Sequence, residues 1–167
     1  MFSRIDPKEL DQNVFSLIGE QWMLVTAGTA EQCNTMTASW GGLGVLWGKP
    51  VATVYIRPQR YTLEFVEKQD FYSLCFFDEE YRDALKLCGS KSGRNCDKDA
   101  ETGLTPAFDQ AAPYYQEAKL VFICRKLYKQ DMQESCFLDR RILDQNYPGH
   151  DLHRVFIGEI VKVLEKD

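Results

Sequence analysis

A chain of 167 residues, 44% hydrophobic and 27% charged, has the size and composition of one domain that buries a core without disulfides or a structural metal. Its net charge of −5, with acids and bases interspersed, argues against nucleic acid as a partner. No stretch reaches the roughly 20 apolar residues that a bilayer demands, and the opening MFSRIDPKELDQ lacks an apolar secretory core, so no membrane partner and a cytoplasmic location are expected.

In chain order, residues 21–27 form a short apolar, partly β-branched run ending at Gly28, and residues 29–32 read as a hairpin turn that makes the first two strands antiparallel neighbours. The segment Asn34-Thr-Met-Thr-Ala-Ser-Trp40 follows, with small hydroxyl residues and backbone that a ligand can approach closely. Gly41, Gly42, Gly44 and Gly48 weaken a regular strand but permit the bulges and bends by which a sheet curls into a barrel. Residues 50–56 form the next strand, which leads into the turn Arg57-Pro-Gln-Arg-Tyr-Thr62. Thr62 is predicted to cap a helix over residues 63–68, and residues 71–77 to form a strand. Asp78 is predicted to cap a helix over residues 79–88 that Gly89 stops, followed by the polar loop 89–99. A strand over 118–128, a helix over 135–144 and a last strand over 154–164 complete the pattern.

About six strands without regular strand–helix alternation predict a mainly β fold with peripheral helices, built as a small antiparallel barrel. Gly42-Leu-Gly44 lacks the third glycine of a dinucleotide fingerprint and leads into a strand, so a Rossmann fold is disfavoured. The loop at 89–99 has no Gly-Lys-Ser/Thr at P-loop spacing, which excludes a nucleoside-triphosphate site of that type. Six scattered cysteines form no C-x-x-C pair, and His150 and His153 have no ligand cluster near them, so no metal is expected. Residues 34–62 as a whole suit a flat aromatic cofactor with a phosphate tail: hydroxyls at one end, and Arg57, Arg60, Tyr61 and Thr62 at the other to hold a dianion. Thr35, Thr37 and Ser39 fit an ordinary pleated strand face equally well, and Trp47 is read as a packing residue.

Four motifs in one order carry a resemblance: Asn34 to Trp40, the Arg57 to Thr62 turn, Ser92-Gly-Arg-Asn-Cys-Asp-Lys98 with Gly103-Leu-Thr105, and His153-Arg-Val-Phe-Ile-Gly-Glu-Ile160. Over roughly residues 15–162 the chain resembles the flavin reductase-like, flavoredoxin-type family. The resemblance implies a split β-barrel and a homodimer that binds FMN near the subunit interface, with FAD as the less favoured flavin and NADH or NADPH as possible electron donor. It also implies that Asn34, Thr35, Met36, Thr37, Ser39 and Trp40 line the isoalloxazine and that Arg57, Arg60, Tyr61 and Thr62 hold the phosphate. Ser92, Gly93 and Lys98 would approach the cofactor from the loop, and His153 would stand beside the flavin or the nicotinamide as the catalytic side chain. The expected activity is hydride transfer from nicotinamide to flavin N5. The other reading is a flavin-binding carrier that serves a redox partner protein and has no nicotinamide site of its own.

Overall fold

A computed structural model gives the structure of residues 1–166. The elements run β1 (Phe2–Ile5), α1 (Val14–Gly19), β2 (Met23–Gly28), β3 (Cys33–Ala38), β4 (Gly41–Leu46), β5 (Lys49–Ile56), α2 (Thr62–Lys68), β6 (Phe71–Phe76), α3 (Arg82–Ser90), α4 (Lys98–Thr102), β7 (Pro106–Ala107), β8 (Tyr114–Tyr115), β9 (Leu120–Asp131), α5 (Arg140–Asn146) and β10 (Arg154–Lys166). Single 3-10 turns lie at Pro7–Glu9, Glu79–Tyr81 and Glu134–Cys136. None of the described helices is long and apolar enough to cross a membrane.

The main sheet is antiparallel throughout, in the order β3-β2-β6-β9-β10-β5-β4, with β1 added to the far end of β10. Its two edge strands, β3 and β4, are consecutive in the chain and joined by Ser39 and Trp40 alone. Three Cα steps reach at most about 11 Å, so the sheet has to curl until its edges meet. The result is mainly β with peripheral helices, as the strand pattern predicts.

The period-two alternation of the central strands sorts their side chains into two cores. Met23, Val25 and Ala27 of β2, Tyr72, Leu74 and Phe76 of β6, and Leu120, Phe122 and Cys124 of β9 point inward, where they meet Val54, Ile56, Phe156 and Ile160. Leu24, Cys75, Val121 and Ile123 on the opposite face pack outward under Leu85 and Cys88 of α3 and under Leu104, Tyr114 and Tyr115. These strands read as continuous apolar runs because both of their faces are covered.

Several boundaries differ from the sequence expectations, each for a local reason. The glycines at 41, 42 and 44 do not break the chain; they lie in β4, and the β4–β5 hairpin turns through Trp47 and Gly48 at φ 54° and 69°, the left-handed pair that a tight two-residue turn uses. Trp47 is thereby 58% exposed at the hairpin tip instead of packed in a core. Thr62 is the first residue of α2 and not its cap, because its hydroxyl is buried and accepts the Asn34 amide; Tyr61 precedes the helix without a side-chain cap bond. Asp78 pairs with Lys119 at 3.3 Å and caps nothing. The helix after it starts at Arg82 and runs through Gly89, whose missing Cβ lets α3 lie against Thr37. The loop 89–99 shares its ends with α3 and with α4, which Asp97 caps by accepting from the Ala100 amide at 3.1 Å.

The long pair β9–β10 carries register shifts next to Ile157/Gly158 and Ile160/Lys162 that bend it around the barrel. A Cβ at Gly158 would lie 2.5 Å from the Tyr72 hydroxyl oxygen and 3.1 Å from Cys124 Cβ. That hydroxyl is buried without a hydrogen-bond partner. Gly158→Ala is therefore expected to cost about 1–3 kcal/mol in urea unfolding through overpacking. Tyr72→Phe, which removes an unsatisfied group, should cost nothing and should reduce the penalty of Gly158→Ala in the double variant; strictly additive effects would refute the contact as its cause.

Candidate functional site

The Ser39-Trp40 link opens onto a cleft of about 650 Å³ whose walls are Trp40, Tyr55, Tyr147 and Met132, with the β4 backbone at Gly41 and Gly42 and with Val14, Phe15 and Ile18 of α1 facing them. Its lining is predominantly apolar and aromatic, the character of a site for a flat organic ring. Trp40 is 48% exposed, so its indole forms a surface and not a core.

His153 stands behind this wall, at the start of β10, 7% exposed. The rings of Trp40, Tyr147 and Tyr55 surround its imidazole at centroid distances of 5.4, 5.5 and 6.4 Å, and Nδ1 is 2.7 Å from the Tyr147 hydroxyl oxygen. Burial, reinforced by the positive charge of Arg57, lowers the His153 pKa to about 4, so the ring is neutral at physiological pH. The imidazole at the start of β10 is thus buried and hydrogen-bonded and not exposed to solvent.

Arg57 lies behind Tyr147, one of the cleft walls. Its guanidinium lies 4.9 Å over the Tyr147 ring, pairs with Asp151 at 2.6 Å and donates to the Asn146 carbonyl at 2.8 Å, while Gln59 also donates to Asp151 at 2.7 Å. Arg57 therefore straps the segment 146–151 to the barrel and lines neither this cleft nor the polar one below, which corrects its expected place in a phosphate site. The cause is Asp151, an acid 94 residues away in sequence that claims the guanidinium first.

At the other end of β3, about 17 Å along the chain at the rise of an extended strand, a smaller polar cleft of about 150 Å³ lies between the turn 59–62 and residues 90–93. Asn34, Met36, Arg60, Tyr61, Thr62, Ser92, Gly93 and Lys98 of the expected residues line it, together with Gln59, Ser90 and Lys91. Asn34 donates to the Thr62 hydroxyl at 2.8 Å, which ties β3 to the start of α2. Arg60 donates to the Gly89 carbonyl at 2.7 Å, and burial, then the nearby Arg57 charge, lower its pKa from the usual arginine value. A Cβ at Gly93 would lie 1.9 Å from Asn34 Oδ1, so only glycine lets the 90–98 loop close on β3. Tyr61 is clasped between Phe65 at 4.9 Å and the Arg94 guanidinium at 4.5 Å.

Three expected contacts are otherwise engaged. The Thr35 hydroxyl bonds Thr26 at 2.8 Å inside the sheet, and the Thr37 hydroxyl donates its proton to the Leu85 carbonyl at 2.5 Å, which leaves Thr37 no proton for a ligand. Lys98 is not a loop cation but the first residue of α4, 6% exposed, donating to the carbonyls of Thr35 at 2.6 Å and Cys88 at 3.0 Å. Burial lowers its pKa, and its ammonium braces α3 and α4 against β3.

Sequence reasoning missed Tyr55, Met132, Tyr147 and Asp151. Tyr147 lies just before the His150-Asp-Leu-His153 stretch and Asp151 within it, where a reading for metal ligands passes over an aromatic hydroxyl and an ion pair. It also missed a third cleft of about 550 Å³ on the far side of Gly93, lined by Cys33, Arg94, Asp99 and Tyr115 among others. There Tyr115 donates to Asp99 at 2.7 Å, and burial raises the Cys33 thiol to about 11, so it stays protonated and unreactive.

A model of the flavin reductase like domain matches residues 15–167 of this chain. Several solved structures share the fold. The FMN-binding domain of a flavin reductases-like enzyme from Shewanella baltica OS155 is 16% identical, with 99% of this chain and 77% of that one aligned at a TM-score of 0.71. Flavoredoxin of Desulfovibrio vulgaris (Miyazaki F) is 23% identical over 87% of this chain and 69% of its own, at 0.67. A flavin reductase from Shewanella frigidimarina NCIMB 400, described as having a split barrel domain, is 17% identical over 98% and 76%, at 0.69. A Streptomyces globisporus C-1027 NADH:FAD oxidoreductase in complex with NAD and FAD fragments is 14% identical over 87% and 74%, at 0.64. No curated protein matches the chain. At these identities the likenesses establish the split-barrel architecture.

The depressed His153 pKa sets a stability window. Above pH 6.5 histidine is neutral in both folded and unfolded chains; between 6.5 and about 4 the unfolded chain binds a proton that the folded one refuses, so stability falls as pH falls. The loss from this group amounts to on the order of 3 kcal/mol. Urea unfolding at pH 7 and pH 4.5 should show a steeper loss for the wild type than for His153→Gln; equal losses would contradict the buried neutral imidazole.

Proposed function

The chain belongs to the flavin reductase-like family, and we propose that it is an FMN-dependent oxidoreductase that takes hydride from NADH or NADPH. The carrying observation is the pair of clefts at the two ends of β3, one small and rich in donors, the other apolar and aromatic. This separation suits a ligand with an anionic tail and a flat head. FMN, when bound, supplies the hydride-accepting ring nitrogen.

The donor set fits the phosphate of that cofactor. Arg60 and Ser92 line the polar cleft, and the half-buried Arg60 guanidinium has donors beyond the one that holds Gly89; Lys91 and Ser90 line it too, but Lys91 pairs with Glu101 and Ser90 donates to the Leu87 carbonyl. The aromatic cleft fits stacked rings. Trp40, Tyr55 and Tyr147 give it aromatic walls, and its volume leaves room for a second planar group beside the first. Every charge beside it is neutralised or absent: Arg57 is paired with Asp151 and His153 is uncharged. The residues of this chain thus orient two reactants and keep protons away from the transfer, a task that needs no side-chain acid.

A second copy of the chain is part of this reading, supported by the exposed apolar tip of the β4–β5 hairpin, where Val45 and Trp47 are 79% and 58% exposed. Light scattering of the flavin-loaded protein should report a dimer mass.

FMN-loaded protein mixed anaerobically with NADH or NADPH should lose its flavin absorbance. Failure with both donors, alongside dialysis-resistant FMN that a protein partner reduces, would replace this reading with that of an electron carrier. Arg60→Ala should weaken FMN binding by about 10- to 100-fold, the worth of a charge-assisted hydrogen bond, and unchanged affinity would remove Arg60 from the phosphate site.

A further inference from the structure

The histidine behind the aromatic cleft has a partner whose chemistry restricts what it does. We propose that Tyr147 is a positioning residue that fixes His153 as its neutral Nε2–H tautomer, so that His153 offers the ligand in the cleft a hydrogen-bond donor, neither a charge nor a base. The proposal rests on the reading of that cleft as the flavin and nicotinamide site, but the tautomer stands independently of it.

The Tyr147 hydroxyl has one proton and two neighbours that accept it: His153 Nδ1 at 2.7 Å and the Met132 sulfur at 3.6 Å. A thioether is a weak acceptor, and the short contact to the ring nitrogen wins. Burial raises the Tyr147 pKa, which keeps that proton on the phenol. A nitrogen that accepts carries no proton, so the imidazole proton sits on Nε2. Nε2 makes no hydrogen bond among the described residues, yet it is not one of the sealed, partnerless side-chain atoms, which are Gln21 Oε1 and the Tyr72 hydroxyl. His153 itself does not line the cleft, but the rings packed around it, Trp40, Tyr55 and Tyr147, are walls of the cleft, so Nε2 is the ring nitrogen left for a ligand that reaches between them.

The phenol is itself held in place. The Arg57 guanidinium covers its ring at 4.9 Å, the Phe137 ring meets it edge-on at 5.8 Å, and its own backbone N–H closes α5 on the Leu143 carbonyl at 2.8 Å. The charges that face the imidazole are Arg57 and Arg60, which oppose a second proton, and Asp151, which favours one but is tied to Arg57 and Gln59. A neutral donor selects an acceptor atom on its ligand, such as the carbonyl oxygen of a carboxamide or of a ring. An anion gains less from it than from an imidazolium.

The test is long-range proton–nitrogen correlation NMR on the full-length, FMN-loaded protein with 15N-labelled histidine, assigned with a His150→Asn variant. An unprotonated Nδ1 and a protonated Nε2 on His153 are expected; a proton on Nδ1 overturns the proposal. Tyr147→Phe keeps the ring and its packing but loses a hydrogen bond to the neutral form. It should raise the His153 pKa by about half a unit or more, and an unchanged titration overturns the positioning role. In rapid mixing, the same variant should need several-fold more NADH for half-maximal flavin reduction; an unchanged NADH requirement overturns the donor role. If NADH does not reduce the wild-type flavin at all, the reading of the cleft falls, while the nitrogen spectra still decide the tautomer.

Discussion

Two residues, Ser39 and Trp40, join the opposite edges of the main sheet, and this short link governs the architecture. With a reach of about 11 Å between Ala38 and Gly41, edges that a flat sheet would hold six strand spacings apart must come together. Closure makes one face of β2, β6 and β9 an enclosed core and leaves the other to be covered by α3 and the segment around β7 and β8. It also makes the link itself the floor of a cleft, since backbone that turns between sheet edges cannot be filled in by neighbouring strands. The same constraint that builds the barrel thus builds the aromatic half of the site.

The rest of the site follows from how buried polar groups are satisfied near that seam. Removing a cation from water is costly unless carbonyls or acids replace the lost hydration, and each cation here has found such partners. Lys98 takes the carbonyls of Thr35 and Cys88, Arg60 takes that of Gly89, and Arg57 takes Asp151 and the carbonyl of Asn146. These bonds join β3, α3, α4 and the segment before β10, so the groups that neutralise charge also set the distances across the clefts. The acid that faces His153, Asp151, is already held by Arg57 and Gln59, and the imidazole settles the same problem by staying uncharged against Tyr147.

Between them, the two ends of β3 separate a donor-lined cleft from an aromatic one. At the Asn34 end, donors converge and only glycine fits at position 93. At the Trp40 end, aromatic rings converge and no unpaired charge intrudes. A low-polarity cleft with fixed dipoles strengthens whatever electrostatic interaction a ligand makes inside it, which gives the neutrality of His153 its chemical weight.

Local pattern determined much of this protein. Alternation placed β2, β5, β6, β9 and β10 within a few residues, the absence of strand–helix repetition pointed to an antiparallel barrel, and the motifs from Asn34 to Thr62 and at Ser92 to Lys98 named most of the polar cleft, because each of those signals is carried by residues adjacent in the chain. Tertiary structure decided what depends on partners far apart in sequence. Asp151 holds Arg57 away from the polar cleft across 94 positions, Lys98 met a carbonyl 63 residues away, and Tyr55 and Tyr147 became walls of one cleft only when the sheet closed. A side chain's type is written in the sequence. Whether its hydrogen bonds are free for a ligand or already spent on the fold is settled only when long-range neighbours arrive, and here that distinction separates Arg60 from Arg57 and the buried His153 from the exposed His150.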